Sequence, residues 1–140
     1  MKKILFLLLL LSFVLQASQH TYEIKIYSTI FKALFPNKTT VYVWSDCDKK
    51  SDILHKIYNV RAVNSIEDAD ILLLSKSKNI TSKKMKFVTN YKLLKHYKKS
   101  VIGGFYWKKG RPNIIFLRRN LQKYHIKLPQ SMQDYVEDNL

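Results

Sequence analysis

The chain has 140 residues and carries 25 Lys and Arg against 10 Asp and Glu, a formal net charge of +15 with His neutral. Apolar residues make up 46% of the sequence, and Gly and Pro number only 3 each. This composition excludes collagen, low-complexity chains and intrinsic disorder, because it supplies enough apolar surface for a core. The lone Cys47 excludes a disulfide scaffold. The length predicts one small domain.

The first 17 residues have the pattern of a secretory signal peptide. Two lysines precede an apolar run from 4 to 15, and the small residues Ala17 and Ser18 follow it. We therefore predict a signal peptide over 1–17, cleavage after Ala17, and a single periplasmic domain over 18–140. Retention of the run as an N-terminal anchor is the alternative, because Leu15 stands where the cleavage pattern has a small residue.

Hydrophobic periodicity predicts alternating helices and strands in the remaining chain. Helical spacing predicts a first helix from Thr21 to Phe35, which Pro36 ends. Runs rich in β-branched, aromatic or apolar residues predict strands. The predicted strands are 39–44, 60–63, 70–75, 86–89, 101–107 and 113–117. The further predicted helices are a short one around 53–58, then 91–97, 117–125 and a last one that Pro129 opens.

The last two predicted strands form a hairpin around a basic loop. We predict a loop over 108–112, in which Gly110 supplies an unusual backbone angle. Gly103 and Gly104 lie inside the preceding strand and indicate either a bulge or a close contact with a ligand. The order of elements predicts an α/β fold. We expect a single three-layer-like domain with a mixed, mostly parallel sheet, flanking helices and a C-terminal β-hairpin.

A polar turn follows the first predicted strand. It consists of Ser45, Asp46, Cys47 and Asp48. Ligands of open α/β sheets bind outside the carboxyl ends of strands, so Ser45, Asp46, Asp48 and the later strand-ending Ser75 are candidate ligand-binding residues. Helix capping by the two carboxylates is the structural alternative. Cys47 has neither the partner ligands of a zinc site nor a paired base, which indicates an inert thiol.

No motif for catalysis, nucleotide binding or metal binding is present in the sequence. The four histidines are scattered, and the sequence contains no GxxxxGK[ST], GxGxxG, GxSxG or HExxH pattern. We expect no enzymatic activity, no cofactor and no metal. An exported enzyme, such as a nuclease attracted by charge, is a further functional class, but no spacing of Asp, His or Cys favours it.

The positive charge occurs in several clusters along the chain. They are Lys76–Lys86, Lys92–Lys99, Lys108–Arg111 and Arg118–Arg119. Export and the lack of a nucleic-acid motif argue against nucleic acid as a partner. An acidic protein or an anionic membrane surface fits a basic exported domain better. A lysine-rich compositional bias explains the same charge without a function.

The order of several segments carries a family resemblance. The segments are the leader, the helix 22–35, the strand 40–44, the apolar run 69–75, the glycine pair, basic turn and strands of 103–116, and then 117–121 and 126–128. This order resembles the YfiR-like family of periplasmic regulators over nearly the whole mature chain. The cysteines that form disulfides in some members are missing. The resemblance implies a non-enzymatic protein that binds the periplasmic part of a membrane sensor, commonly a diguanylate cyclase, and holds it inactive.

The sequence therefore predicts an exported regulator that binds a diguanylate cyclase or sensor kinase and shifts its activity. Aromatic and arginine side chains are enriched at the centres of interfaces. The hairpin combines both, so the predicted partner-binding residues are Phe105, Trp107, Lys108, Lys109 and Arg111. The alternative function is a small periplasmic solute- or anion-binding sensor domain that uses the polar turn.

Overall fold

A computed structural model describes the backbone of residues 2–78 and 80–140, and the side chains of 18–78 and 80–140. The predicted signal peptide, 1–17, lies outside the residues whose side chains are described. Within the described part of the chain, no helix has the length and apolar character needed to cross a bilayer. The elements are α1 (Lys2–Leu34), β1 (Val41–Ser45), α2 (Asp48–Leu54), β2 (Val60–Ala62), β3 (Ile71–Leu74), β4 (Met85–Val88), α3 (Tyr91–His96), β5 (Gly103–Lys108), β6 (Arg111–Leu117), α4 (Arg118–Lys123), a 3₁₀ helix (Gln130–Tyr135) and β7 (Val136–Glu137).

The strands form one mixed sheet in the order β2-β1-β3-β4-β5-β6-β7. Strands β1 to β5 are mutually parallel, β6 is antiparallel to β5, and β7 is parallel to β6. This arrangement confirms the predicted α/β fold with a mostly parallel sheet and a C-terminal hairpin. From β1, the chain first adds β2 on one side and later β3 on the other. The chain therefore reverses its direction of winding between β1 and β3, and this position is the topological switch point of the sheet.

Strand β3 shows how the sheet separates two apolar cores. All four of its residues are buried, as expected of a continuous apolar run in a parallel sheet. Ile71 and Leu73 join a core on one face, and Leu72 and Leu74 join a core on the other, because successive side chains of a strand point to opposite faces. Helices α1 and α2 contribute to the first core, and α3 contributes to the second.

Helix α1 packs on the sheet through one apolar stripe. Tyr27, Ile30, Phe31 and Leu34 follow helical spacing and are all buried. The helix ends at Leu34, two residues before Pro36. The described part of the helix therefore agrees with the predicted apolar face.

The hairpin loop is shorter than the predicted loop 108–112. It consists of Lys109 and Gly110, whose φ angles are 50° and 72°, and Lys108 pairs with Arg111 across it. Two central residues with positive φ define a type I′ turn, whose twist matches that of the strands. Pro112 pairs with Trp107 in the next position, where antiparallel partners exchange no hydrogen bonds. The missing N–H of Pro112 therefore interrupts nothing, and the strand continues through it.

The glycine pair marks close contacts within the protein. Gly103 and Gly104 pair with Phe116 and Ile115 in an unbroken register, so a bulge at this point is the wrong prediction. A methyl group at Gly103 would overlap the carbonyl oxygen of Ile115. A methyl group at Gly104 would lie 2.9 Å from Cγ2 of Val88. The two glycines let β5 approach its neighbours closely.

The C-terminal segment differs from the single helix predicted after Pro129. A 3₁₀ helix replaces the α-helix, and β7 follows it beside Phe116 and Leu117. Met132 is buried, whereas Tyr135, predicted on the apolar face, is 40% exposed. A strand of two residues has no periodicity, so no sequence pattern could indicate β7.

The type I′ turn makes opposite predictions for its two residues. Gly110→Ala should lower the free energy of unfolding by about 1 kcal/mol, because a Cβ is disfavoured at positive φ. Lys109→Asn should raise it by a few tenths of a kcal/mol, because Asn tolerates this conformation better than Lys. Urea unfolding measures both changes. A Gly110→Ala variant with an unchanged free energy of unfolding would contradict the turn type.

Candidate functional site at the carboxyl edge of the sheet

Both predicted sets of site residues lie near the same edge of the sheet. Ser45 ends β1, Ser75 follows β3, and Lys108 ends β5. These strands are parallel, so their carboxyl ends share one edge, which we call the carboxyl edge. The ligand-binding candidates lie at its β1–β3 part, and the partner-binding candidates lie at the hairpin.

Asp46 joins the chain segments that follow β1 and β3. Its Oδ1 accepts a hydrogen bond from the backbone N–H of Ser75 at 2.7 Å, and its Oδ2 accepts one from the N–H of Lys76 at 3.0 Å. The residue that caps α2 is Cys47, whose side chain makes no capping hydrogen bond. The capping interpretation of Asp46 is therefore wrong. Its carboxylate instead bridges the segments that follow β1 and β3, at the switch point of the sheet.

The hydrogen bonds continue from β3 to α3. Thr89 donates its hydroxyl to Ser75 Oγ at 2.7 Å, and Asn90 Nδ2 donates to the Ser75 carbonyl at 3.3 Å. Asn90 Oδ1 in turn accepts the N–H of Leu93 and caps α3. The polar groups beside β3 and β4 thus bond mainly to one another.

The structure brings together three of the four predicted ligand-binding residues. Ser45, Asp46 and Ser75 lie at the ends of the adjacent strands β1 and β3, and both carboxylate oxygens of Asp46 already accept backbone N–H groups. Asp48 is exposed in the first turn of α2. Cys47 is a half-buried free thiol, and the described residues contain no group of three His, Cys, Asp or Glu that could hold a metal.

Glu23, the buried acid of α1, is not among the site residues predicted from the sequence. Glu23 lies on the same helix face as Tyr27, and the residue as a whole is only 7% exposed. Lys50 Nζ donates to Oε2 and Trp107 Nε1 donates to Oε1, each at 2.9 Å. One carboxylate therefore ties α1 to α2 and to β5. A single acid on an apolar helical stripe was the signal that could have identified it.

Tyr27 lies one turn further along α1 and fills the core beneath Glu23. Its ring meets Phe105 edge-on at a centroid distance of 5.2 Å, and Lys50 Nζ lies 5.8 Å from the centroid of the same ring. Its buried hydroxyl has no hydrogen-bond partner within the described residues. Burial raises the pKa of this phenol well above its usual value, and the nearby Glu23 and Cys47 raise it further. The group therefore stays protonated at neutral pH.

The hairpin exposes only part of the predicted partner-binding set. Phe105 is 2% exposed and belongs to the core under α1, so its side chain is not accessible to a partner and its assignment to the docking surface is corrected. Trp107 is half-buried, and its indole N–H bonds to Glu23. Both residues point to the face that α1 covers, because they alternate with Tyr106 along β5.

The exposed remainder is a group of three cations, which we call the hairpin tip. Lys108, Lys109 and Arg111 are exposed and line a surface concavity of about 450 Å³ together with Asn113. None of the three forms an ion pair with a residue of the described chain. Their positive charge is therefore available to an anionic partner.

Comparison of the chain with models of protein families, with curated proteins and with solved structures finds no match. The resemblance to YfiR-like regulators stays a prediction from the sequence.

Asp46 and Asp48 form a matched pair for testing the hydrogen bonds by which Asp46 joins the segments after β1 and β3. Asp46→Asn replaces one acceptor oxygen by an NH₂ group that faces a backbone N–H, so it should lower the free energy of unfolding by about 1–3 kcal/mol. Asp48→Asn removes the same charge from an exposed position in α2, where about 0.5 kcal/mol is expected. Equal effects in chemical denaturation would contradict the assigned role of Asp46.

Proposed function

We propose that this chain is an exported, non-enzymatic regulator that docks on the periplasmic part of a membrane signalling protein, either a diguanylate cyclase or a sensor kinase. The observation that carries the proposal is the hairpin tip. Lys108, Lys109 and Arg111 are exposed together without ion-pair partners in the described chain. The leader-like start and the YfiR-like order of segments supply the expected location and partner class.

The local structure suits the hairpin tip to docking. A two-residue type I′ turn connects its strands, and Trp107 anchors the base of the tip to Glu23 in α1. A preorganised element loses less conformational entropy on binding than a flexible loop does. The complementary surface of the partner is acidic, because opposite charges steer association and penalise incorrect partners.

Regulation follows if docking distinguishes two states of the partner. A bound domain shifts a conformational equilibrium only by its difference in affinity for the two states. Reversing an equilibrium from 1:99 to 99:1 requires a difference of about 10⁴-fold. No catalytic group of the chain takes part in this mechanism. The alternative target, an anionic lipid surface, would bind the same cations without selecting a receptor state.

Charge reversal at the hairpin tip tests the proposal. The variant Lys108→Glu, Lys109→Glu, Arg111→Glu should reduce recovery of the membrane partner at least about tenfold in pull-downs at moderate salt. The matched control is Lys56→Glu, Arg61→Glu, Lys92→Glu, which makes the same charge change at exposed positions outside β5 and β6. It should bind like the unchanged protein.

Two outcomes would contradict the proposal. Unchanged partner recovery by the hairpin-tip variant would exclude this surface as the docking site. Recovery of lipid alone, released by salt, would replace the protein partner by a membrane surface. Mass spectrometry of the captured material distinguishes the two partners.

A further inference from the structure

A second basic surface lies at the opposite edge of the sheet, where α4 follows β6. Lys98 and Lys99 form one side of a cleft of about 530 Å³, and Arg119 and Lys123 of α4 also line it. We call it the basic cleft. The two pairs of cations are about twenty positions apart in the sequence and meet only in the folded chain.

The side chain of Asn120 holds the two parts of the basic cleft together. It is 5% exposed, and its Nδ2 donates to the carbonyl of Lys98 at 2.8 Å and to the carbonyl of Val101 at 2.6 Å. The segment that carries the two lysines is thereby fixed against α4. Arg119 and Lys123 are four positions apart on that helix, so they share one face. The basic cleft is thus an ordered arrangement of charges.

The cationic side chains that line the basic cleft outnumber the acidic ones. Lys98, Lys99, Arg119 and Lys123 form no ion pair within the described residues. Asp138 also lines the cleft, but its carboxylate pairs with the neighbouring Arg118 at 2.6 Å.

The positive charge of Lys123 in the basic cleft also acts on Lys86 of β4. Partial burial lowers its pKa, and the nearby charge of Lys123 lowers it further. A bound anion would relieve this repulsion and would be attracted by the summed field of the basic cleft.

We propose that the basic cleft binds a phosphate-bearing anion. A guanidinium presents a fork of donors and an ammonium presents a point charge, and both are common partners of phosphate oxygens. The oxygens of phosphate point in tetrahedral directions, so they can contact cations on more walls of a cleft than the two coplanar oxygens of a carboxylate can. The volume lies in the range of small-ligand sites, about 300–1,000 Å³.

This inference is independent of the proposed regulatory function, because it uses the other edge of the sheet. The phosphate could belong to a lipid headgroup or to a soluble compound, and the same cations would recognise both. Two probes distinguish these sources. Inorganic pyrophosphate represents the soluble phosphates, and vesicles of phosphatidylglycerol with phosphatidylcholine represent the lipid headgroups.

The test measures binding of both probes to the protein expressed from its full sequence. Calorimetry at low ionic strength measures pyrophosphate, and co-sedimentation measures the vesicles against vesicles of pure phosphatidylcholine. The double variant Arg119→Gln, Lys123→Gln should weaken binding at least about tenfold, because it removes two charged donors. The matched control Lys56→Gln, Arg61→Gln removes the same charge elsewhere and should stay within about twofold. Thermal melting verifies that both variants fold.

The outcomes separate cleanly. Cleft-dependent binding of pyrophosphate supports a soluble phosphate compound, and cleft-dependent binding of phosphatidylglycerol vesicles alone supports a lipid headgroup. Binding that the control variant weakens as much as the cleft variant does would reflect net charge and would overturn the proposal. So would the absence of binding to both probes.

Discussion

The buried carboxylate of Glu23 is the constraint on which the carboxyl edge depends. Taking a carboxylate out of water costs several kcal/mol unless charge and hydrogen bonds compensate it. Lys50 supplies the opposite charge and Trp107 supplies a second donor, with side-chain exposures of only 9% for Glu23 and 20% for Lys50. Apolar contacts alone would tolerate small shifts of α1 on the sheet. The directional bonds of Glu23 fix α1, α2 and β5 in one relative position.

The carboxyl edge has two parts, one whose polar groups bond within the protein and one whose charged groups are exposed. At β1 and β3, Asp46 and the groups around Ser75 bond mainly to one another. At the hairpin, Trp107 is held by Glu23, and the next exposed side chains are cations that form no ion pair within the described residues. The polar groups that could bind a small ligand are mostly hydrogen-bonded within the protein. The cations of the hairpin tip, which could bind a macromolecular partner, are exposed. This contrast is why we favour docking over solute binding.

Elements with local signals were predictable from the sequence. The apolar run of β3, the stripe of α1 and the glycine of the hairpin each act within a few residues, and each is present. The interactions that shape the edge join distant residues: Glu23 meets Trp107 across 84 positions, and Asp46 meets Ser75 across 29. No pattern in a single sequence encodes such pairs.

Phe105 lies in a strand that was predicted correctly, but its predicted place at an interface is wrong because it is buried. The sequence predicts the hairpin as the docking element, and its aromatic residues are therefore expected at an interface. Because α1 covers one face of β5, Phe105 packs against Tyr27 in the core instead. The basic residues at the tip, Lys108, Lys109 and Arg111, are exposed. Burial of one strand face depends on the neighbouring layer, which the local sequence does not specify.

The central claim is that Glu23 and Trp107 act as one interaction that holds the hairpin to α1. A double-mutant cycle with Glu23→Leu, Trp107→Phe and the double variant measures it directly through the free energies of unfolding. Hydrogen bonds to a charged group contribute about 1.5–3 kcal/mol, so a coupling energy of at least about 1 kcal/mol is expected. Effects that add to within about 0.3 kcal/mol would show that the two residues act independently, and would contradict the claim.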